Sequence, residues 1–255
     1  MDEFADWKSL YPHLLALEEK GLVTRTFRRL DPERQQAVLD AILAEAAEHG
    51  PAELNIKSIA ARAGVAVGSL YQYFGSREGL LNFAIEIVVR NTVDLFNLSR
   101  PYLAEMPLME ALTQYLSYGI EWSQTQGPLV RFFARAAYGG DPDLRERLVR
   151  PIADVMRALI EEMLVQARAR GEVRADVDIP ATARVVNVLL IAMGDAQLLP
   201  YLNTYFQVTA PDVLPERALA AAVAMILQGI SPPPAPPAGK IRKARARSKP
   251  KKKAT

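Results

Sequence analysis

An all-α fold is predicted for this chain by three observations. Apolar residues recur at three- and four-residue spacing along most of its length. Alternating strand patterns are nearly absent, and the β-branched runs lie inside longer helical patterns. Glycine and proline fall mostly at the edges of those patterns, where helices start and stop.

The elements follow in order. A short amphipathic segment around Leu10–Glu19 stops at Gly21 and leads into a connector. Asp31-Pro32 places a capping side chain before a proline at the first helical position. Val38, Leu39, Ile42, Leu43 and Ala46 continue that helix until Gly50-Pro51. Asn55 caps a second helix, Ile56–Ala63, and Gly64 ends it. A third covers about Val67–Phe74. Ser76 caps a long fourth helix, expected to end near Ser99 because Pro101 follows.

Larger helices are predicted beyond it, at about Leu108–Gln126 and Leu129–Tyr138. Asp141-Pro142 starts a long one to Arg170, which Pro151 should kink or split. Pro180 opens another reaching about Asn203, and the last spans about Asp212–Gln228. Pro232, Pro233, Pro234, Pro236 and Pro237 then form an extended spacer.

Composition narrows the function. With no cysteine, thiol catalysis and thiolate metal sites are excluded. Two distant histidines, His13 and His49, give no multi-histidine metal site, and no metal or cofactor is expected. No run of about 18 apolar residues is seen, so no membrane association is expected. The acidic start Met1-Asp2-Glu3 lacks the features of a signal peptide, and the expected compartment is the cytoplasm. Of 31 basic side chains, nine fall in residues 240–255 with no acid among them. The first 239 residues therefore carry 22 basic against 29 acidic groups, a net of −7. Nucleic-acid contact and a solubilising end are both open readings of that basic tail.

The most informative stretch is residues 55–81, NIKSIAARAGVAVGSLYQYFGSREGLL. Ile59, Ala60 and Ala63 give a first helix a close-packing apolar face, and Gly64 suits a left-handed turn. The second helix is short and turns Val67, Ser69, Gln72 and Tyr73 outward. That is a helix-turn-helix, whose second helix enters the major groove of DNA. From Leu54 through Arg77 there are three basic residues, Lys57, Arg62 and Arg77, and no acid.

Ile59-Ala60, Ala63-Gly64-Val65, Gly68-Ser69-Leu70-Tyr71, Tyr73-Phe74 and Ser76-Arg77-Glu78-x-Leu80 resemble the DNA-binding domain of TetR-type transcriptional regulators. The strong likeness covers about residues 33–82; Arg170-Gly171-Glu172-Val173 and Asp176-Val177-Asp178 resemble the family's link into its last two helices. Ala66 departs from the usual Ser or Thr cap of the recognition helix, Asn55 from a common Thr, and Arg77 from the usual Lys.

The resemblance implies base-edge contacts for Val67, Ser69 and Gln72, and backbone contacts for Lys57, Tyr71, Tyr73 and Arg77. Gly68 would allow close approach of the DNA. Tyr71 and Phe74 can equally be read as core. Tyr118, Trp122, Phe132, Phe133 and Arg135 fall in helices where family members line a ligand cavity, with ordinary packing as the alternative. The last two helices, with Val185, Val186, Leu189, Ala218, Ala221 and Met225, correspond to those that form the family's dimer interface, with internal core as the alternative and different faces able to serve each.

The expected organisation is an N-terminal extension (1–30), a helix-turn-helix DNA-binding domain (31–80), a ligand-binding and dimerisation domain (81–230), and a proline-rich spacer with a basic tail (231–255). The expected function is sequence-specific binding of a palindromic duplex by a homodimer, with repression relieved by a small, mostly apolar effector. A ligand-independent architectural or activating protein, or a helical ligand-binding or adaptor protein, are the alternatives. No catalytic residues are expected.

Overall fold

The structure, a computed structural model, describes residues 11–125 and 127–233. The basic tail and most of the proline spacer lie outside the described residues, as do residues 1–10. Thirteen helices follow one another among the described residues. They are α1 (Tyr11–Glu19), α2 (Arg25–Arg28), α3 (Pro32–His49), α4 (Ile56–Ala63), α5 (Val67–Phe74), α6 (Arg77–Glu105) and α7 (Leu108–Thr125). Then come α8 (Gly127–Gly139), α9 (Pro142–Leu144), α10 (Arg150–Ala169), α11 (Ile179–Leu198), α12 (Pro200–Phe206) and α13 (Pro215–Ile230).

Local chemistry sets most of the boundaries. The Asp31 carboxylate accepts a hydrogen bond from the Arg34 amide at 2.9 Å and starts α3 with Pro32 in its first turn. The Asn55 side chain accepts from the Lys57 and Ser58 amides and starts α4. Gly64, at φ +66°, ends it. Ser76 accepts from the Gly79 amide at 2.9 Å and starts α6.

Two boundaries depart from expectation, and one change of helix type falls where the sequence placed it. Helix α6 does not stop near Ser99; it runs through Pro101 to Glu105. Pro101 removes one amide hydrogen bond from the ladder, and the packing and capping beyond it carry the helix on. Leu103 and Ala104 beyond it are buried, and the Arg170 guanidinium donates to the helix-end carbonyls of Ala104 and Met106 at 2.8 and 2.6 Å. The stretch 141–170 is divided, as Pro151 required: α9 passes into one π-turn, Arg145–Val149, and α10 begins beside the proline. The helix opened by Pro180 stops at Leu198, and Pro200 begins the separate α12.

Two apolar cores result. The first joins Leu14, Leu17 and Phe27 to the inner faces of α3, α4, α5 and the first half of α6. It also takes in Leu129, Val130 and Phe132 of α8, and Leu148 and Ile152 around the π-turn. The second joins the end of α6 with α7, α10, α11 and α13. Residues 14–30, expected as an extension beside the DNA-binding unit, thus supply part of its interior.

The second core is stapled by the loop after α10. Glu172 accepts from the Leu108 amide at 2.6 Å and caps α7, while pairing with Arg170 at 2.5 Å. Arg174 donates to the Gly229 carbonyl at 2.9 Å and holds the end of α13. Helix α11 is long and apolar enough, by length and composition, to cross a membrane. One side of it is covered here: Ala183, Val186 and Leu190 are buried in the second core.

Candidate nucleic-acid interface

The helix-turn-helix is assembled by α3, α4 and α5. Buried Glu45 of α3 accepts from the Ser58 hydroxyl at 2.5 Å and the Asn55 amide at 3.3 Å, which fixes α4 against α3. The turn closes by hydrogen bonds from the Gly64 amide to the Ala61 carbonyl and from the Val65 amide to the Ala60 carbonyl. Leu70, Tyr73 and Phe74 then bury the back of α5.

The front of α5 is open. Val67, Gly68, Tyr71 and Gln72 are exposed, and Ser69 is half-buried. Tyr71 is 47% exposed, whereas Tyr73 is 7% exposed, its ring 5.7 Å from that of Phe27. The sequence reading gave both tyrosines to the DNA backbone; the structure turns them to opposite sides of α5. Lys57 is exposed on α4. Exposed Arg77 donates through Nε to the Leu54 carbonyl at 3.0 Å, which bridges the start of α6 to the start of α4.

One cation of the expected basic window is spoken for. Arg62 makes a two-pronged hydrogen bond to Glu48 of α3, at 2.9 and 2.5 Å, and holds that carboxyl below its ordinary range. Glu45, Glu48 and His49 bring three metal-capable atoms within 4.8 Å of one another. Arg62 already supplies the positive charge there, 3.7 Å from Glu45.

Gly79, between Glu78 and Leu80, carries no local sequence signal for its role. A Cβ there would lie 2.1 Å from the Phe74 carbonyl oxygen, so the α5–α6 junction admits no side chain. A Cβ on Gly68 would meet nothing within 4 Å. The fold itself does not require glycine at Gly68.

Three of the five expected ligand-lining residues meet at the first core. Phe132 is fully buried in the first core. Trp122 and Phe133 are partly buried against that core. Tyr118 is bonded to Gln114 on its own helix. Arg135 keeps its Nε buried with no hydrogen-bond partner among the described residues.

A helix-turn-helix carried on an otherwise helical body defines the class of protein. Residues 38–83 match the family described as "Bacterial regulatory proteins, tetR family". Over 53 residues it is 45% identical to the HTH-type transcriptional repressor KstR of Mycolicibacterium smegmatis. That match covers 21% of this chain and 26% of the relative, so the chain spans about a quarter of the length of the curated relatives it matches. A TetR family transcriptional regulator from Chloroflexus aurantiacus is similar in fold, with TM-score 0.61, 21% identity, and 83% of this chain and 99% of that one covered. SmeT, the repressor of the Stenotrophomonas maltophilia multidrug efflux pump SmeDEF, solved with triclosan, gives TM-score 0.59 and 19% identity. Coverage there is 78% of this chain and 92% of SmeT. At these identities the likeness is one of fold.

Proposed function

We propose that this chain is a homodimeric, sequence-specific DNA-binding regulator of transcription, a repressor whose grip is released by a small, mostly apolar ligand. The observation that carries the reading is the exposed face of α5, where Val67, Gly68, Tyr71 and Gln72 stand free on a helix braced from behind. Gln72 offers an amide that pairs with adenine N6 and N7, and Val67 offers apolar contact to a thymine methyl. Lys57, Tyr71 and Arg77 set register on the phosphates. The KstR relatives, named as repressors, support the regulatory role.

Dimerisation is supported by α11 and α13. Each buries one side in the second core and leaves apolar groups on the other, with Val185 61% and Met225 56% exposed. A paired copy would cover that surface and place two reading heads on a two-fold site. Ligand release is supported by α8, whose Phe132 shares a core with the DNA-binding helices. The partnerless Nε of Arg135 suits a polar group on an otherwise apolar ligand. SmeT, of the same fold, is known in complex with triclosan.

The test is selection of duplexes from a randomised pool by the full-length protein. A palindrome is expected, and Gln72→Ala should alter base preference at one position per half-site. Enrichment of no sequence would overturn the regulatory reading.

A further inference from the structure

We propose that α2 is a second DNA-contacting element, in which Arg25 and Arg29 hold phosphates beside the recognition helix. This rests on the DNA-binding reading above and adds a contact outside the helix-turn-helix.

The segment is built onto the end of α5. The Thr24 amide donates to the Tyr73 carbonyl at 2.9 Å, and the Thr24 hydroxyl donates to the Gln72 carbonyl at 2.7 Å. Both carbonyls belong to the last turn of α5, which would otherwise leave them without partners. Phe27 is fully buried, its ring 5.1 Å from Phe74 and 5.3 Å from Phe83. On the other side, buried Gln35 of α3 donates its amide toward the carbonyls of Phe27, Arg28 and Leu30, at 3.2, 3.2 and 3.1 Å. A four-residue helix has little stability alone; this one is fixed to α5 and α3 together.

Its cations are treated differently from their neighbours. Arg28 pairs with Glu18, and Lys20 with Glu86 at 2.6 Å. Arg25 and Arg29 are exposed and have no ion pair or side-chain hydrogen bond among the described residues. Spaced four apart they share one side of the turn, and Phe27, two residues from each, faces the core. Arg25 stands next to Thr24, which is bonded to Gln72, and Arg29 follows one turn on, in a body otherwise net acidic.

The geometry favours phosphate over base. Eight helical residues span about 12 Å, close to the roughly 12 Å width of the major groove. Structure tied to the end of α5 therefore meets the groove wall, where the phosphates run. The backbone beneath them is fixed, and each planar guanidinium offers a fork that matches phosphate oxygens.

The experiment compares salt dependence of binding for wild type, an Arg25→Ala/Arg29→Ala variant and an Arg25→Lys/Arg29→Lys variant. The probes are the selected palindrome and a scrambled duplex of about 30 bp, three helical turns. Circular dichroism checks the fold, which these exposed side chains do not support. The alanine variant should bind both duplexes more weakly, with a log–log salt slope lower by about 0.9 for each arginine removed from the complex. The lysine variant should keep the wild-type slope. Wild-type affinity and slope in the alanine variant would overturn the proposal and leave the DNA-binding reading intact. So would a loss confined to the palindrome, which would mean base readout. Wild-type protein that binds neither duplex would overturn both.

Discussion

The two ends of the recognition helix are built in opposite ways. At its start, Ala66 provides no side-chain cap, and Val67 and Gly68 stand in the open. At its end, Thr24 binds the last carbonyls, Phe27 packs beneath Tyr73 and Phe74, and Gly79 lets α6 pass against the Phe74 carbonyl. One end is fixed by parts distant in sequence, and the other is left for a partner to complete. Precision at the reading face thus comes from bracing behind it, so stability and DNA affinity should respond to mutation at different ends.

The strongest break of that contrast is Phe27→Ala. Emptying a fully buried aromatic site should cost about 3–5 kcal/mol, read as a lower urea midpoint, with DNA binding lost through loss of the fold. Gly79→Ala comes next, at about 1–3 kcal/mol, because the new methyl must displace backbone rather than a flexible side chain. Ala66→Ser acts at the open end and should stabilise by about 1 kcal/mol by supplying the missing cap. An unchanged melting temperature there would mean that the start of α5 is satisfied by other means. Gly68→Ala sharpens the contrast most finely. It should raise stability by about 0.5–1 kcal/mol, since the fold leaves the space empty, yet weaken operator binding in a direct titration. A Gly68→Ala variant with undiminished affinity would remove close backbone approach as the reason for that glycine.

What could be read in advance was whatever is decided within a few residues. Asp31-Pro32, Asn55, Gly64 and Ser76 each carry a cap or turn in their own chemistry, and each boundary stands where the sequence put it. Pro101 misled because its tolerance depends on Arg170, far along the chain, accepting the duty of capping α6. The tyrosines of α5 show the same limit at the site. Tyr71 and Tyr73 lie two residues apart and must face away from each other on a helix. Which one faces inward is decided by Phe27, outside the motif, and no local pattern reports it. Gly79 was legible only as a gap in a motif; its reason is a backbone contact five residues back.

The first core has a bearing on portability. The stretch by which the chain is recognised, residues 38–83, is smaller than the body that excludes water as a unit. Leu14, Leu17 and Phe27 lie before it, and Leu129, Phe132 and Leu148 well after it. A reading head cut at the motif boundaries and grafted onto another protein would carry an unroofed apolar floor and should behave as a loosely ordered, aggregation-prone fragment. A transplant would have to bring the preceding hairpin of helices and a surrogate for α8. In this protein the helix-turn-helix and the hydrophobic shelter beneath it are separate inheritances, and only the first is compact in sequence.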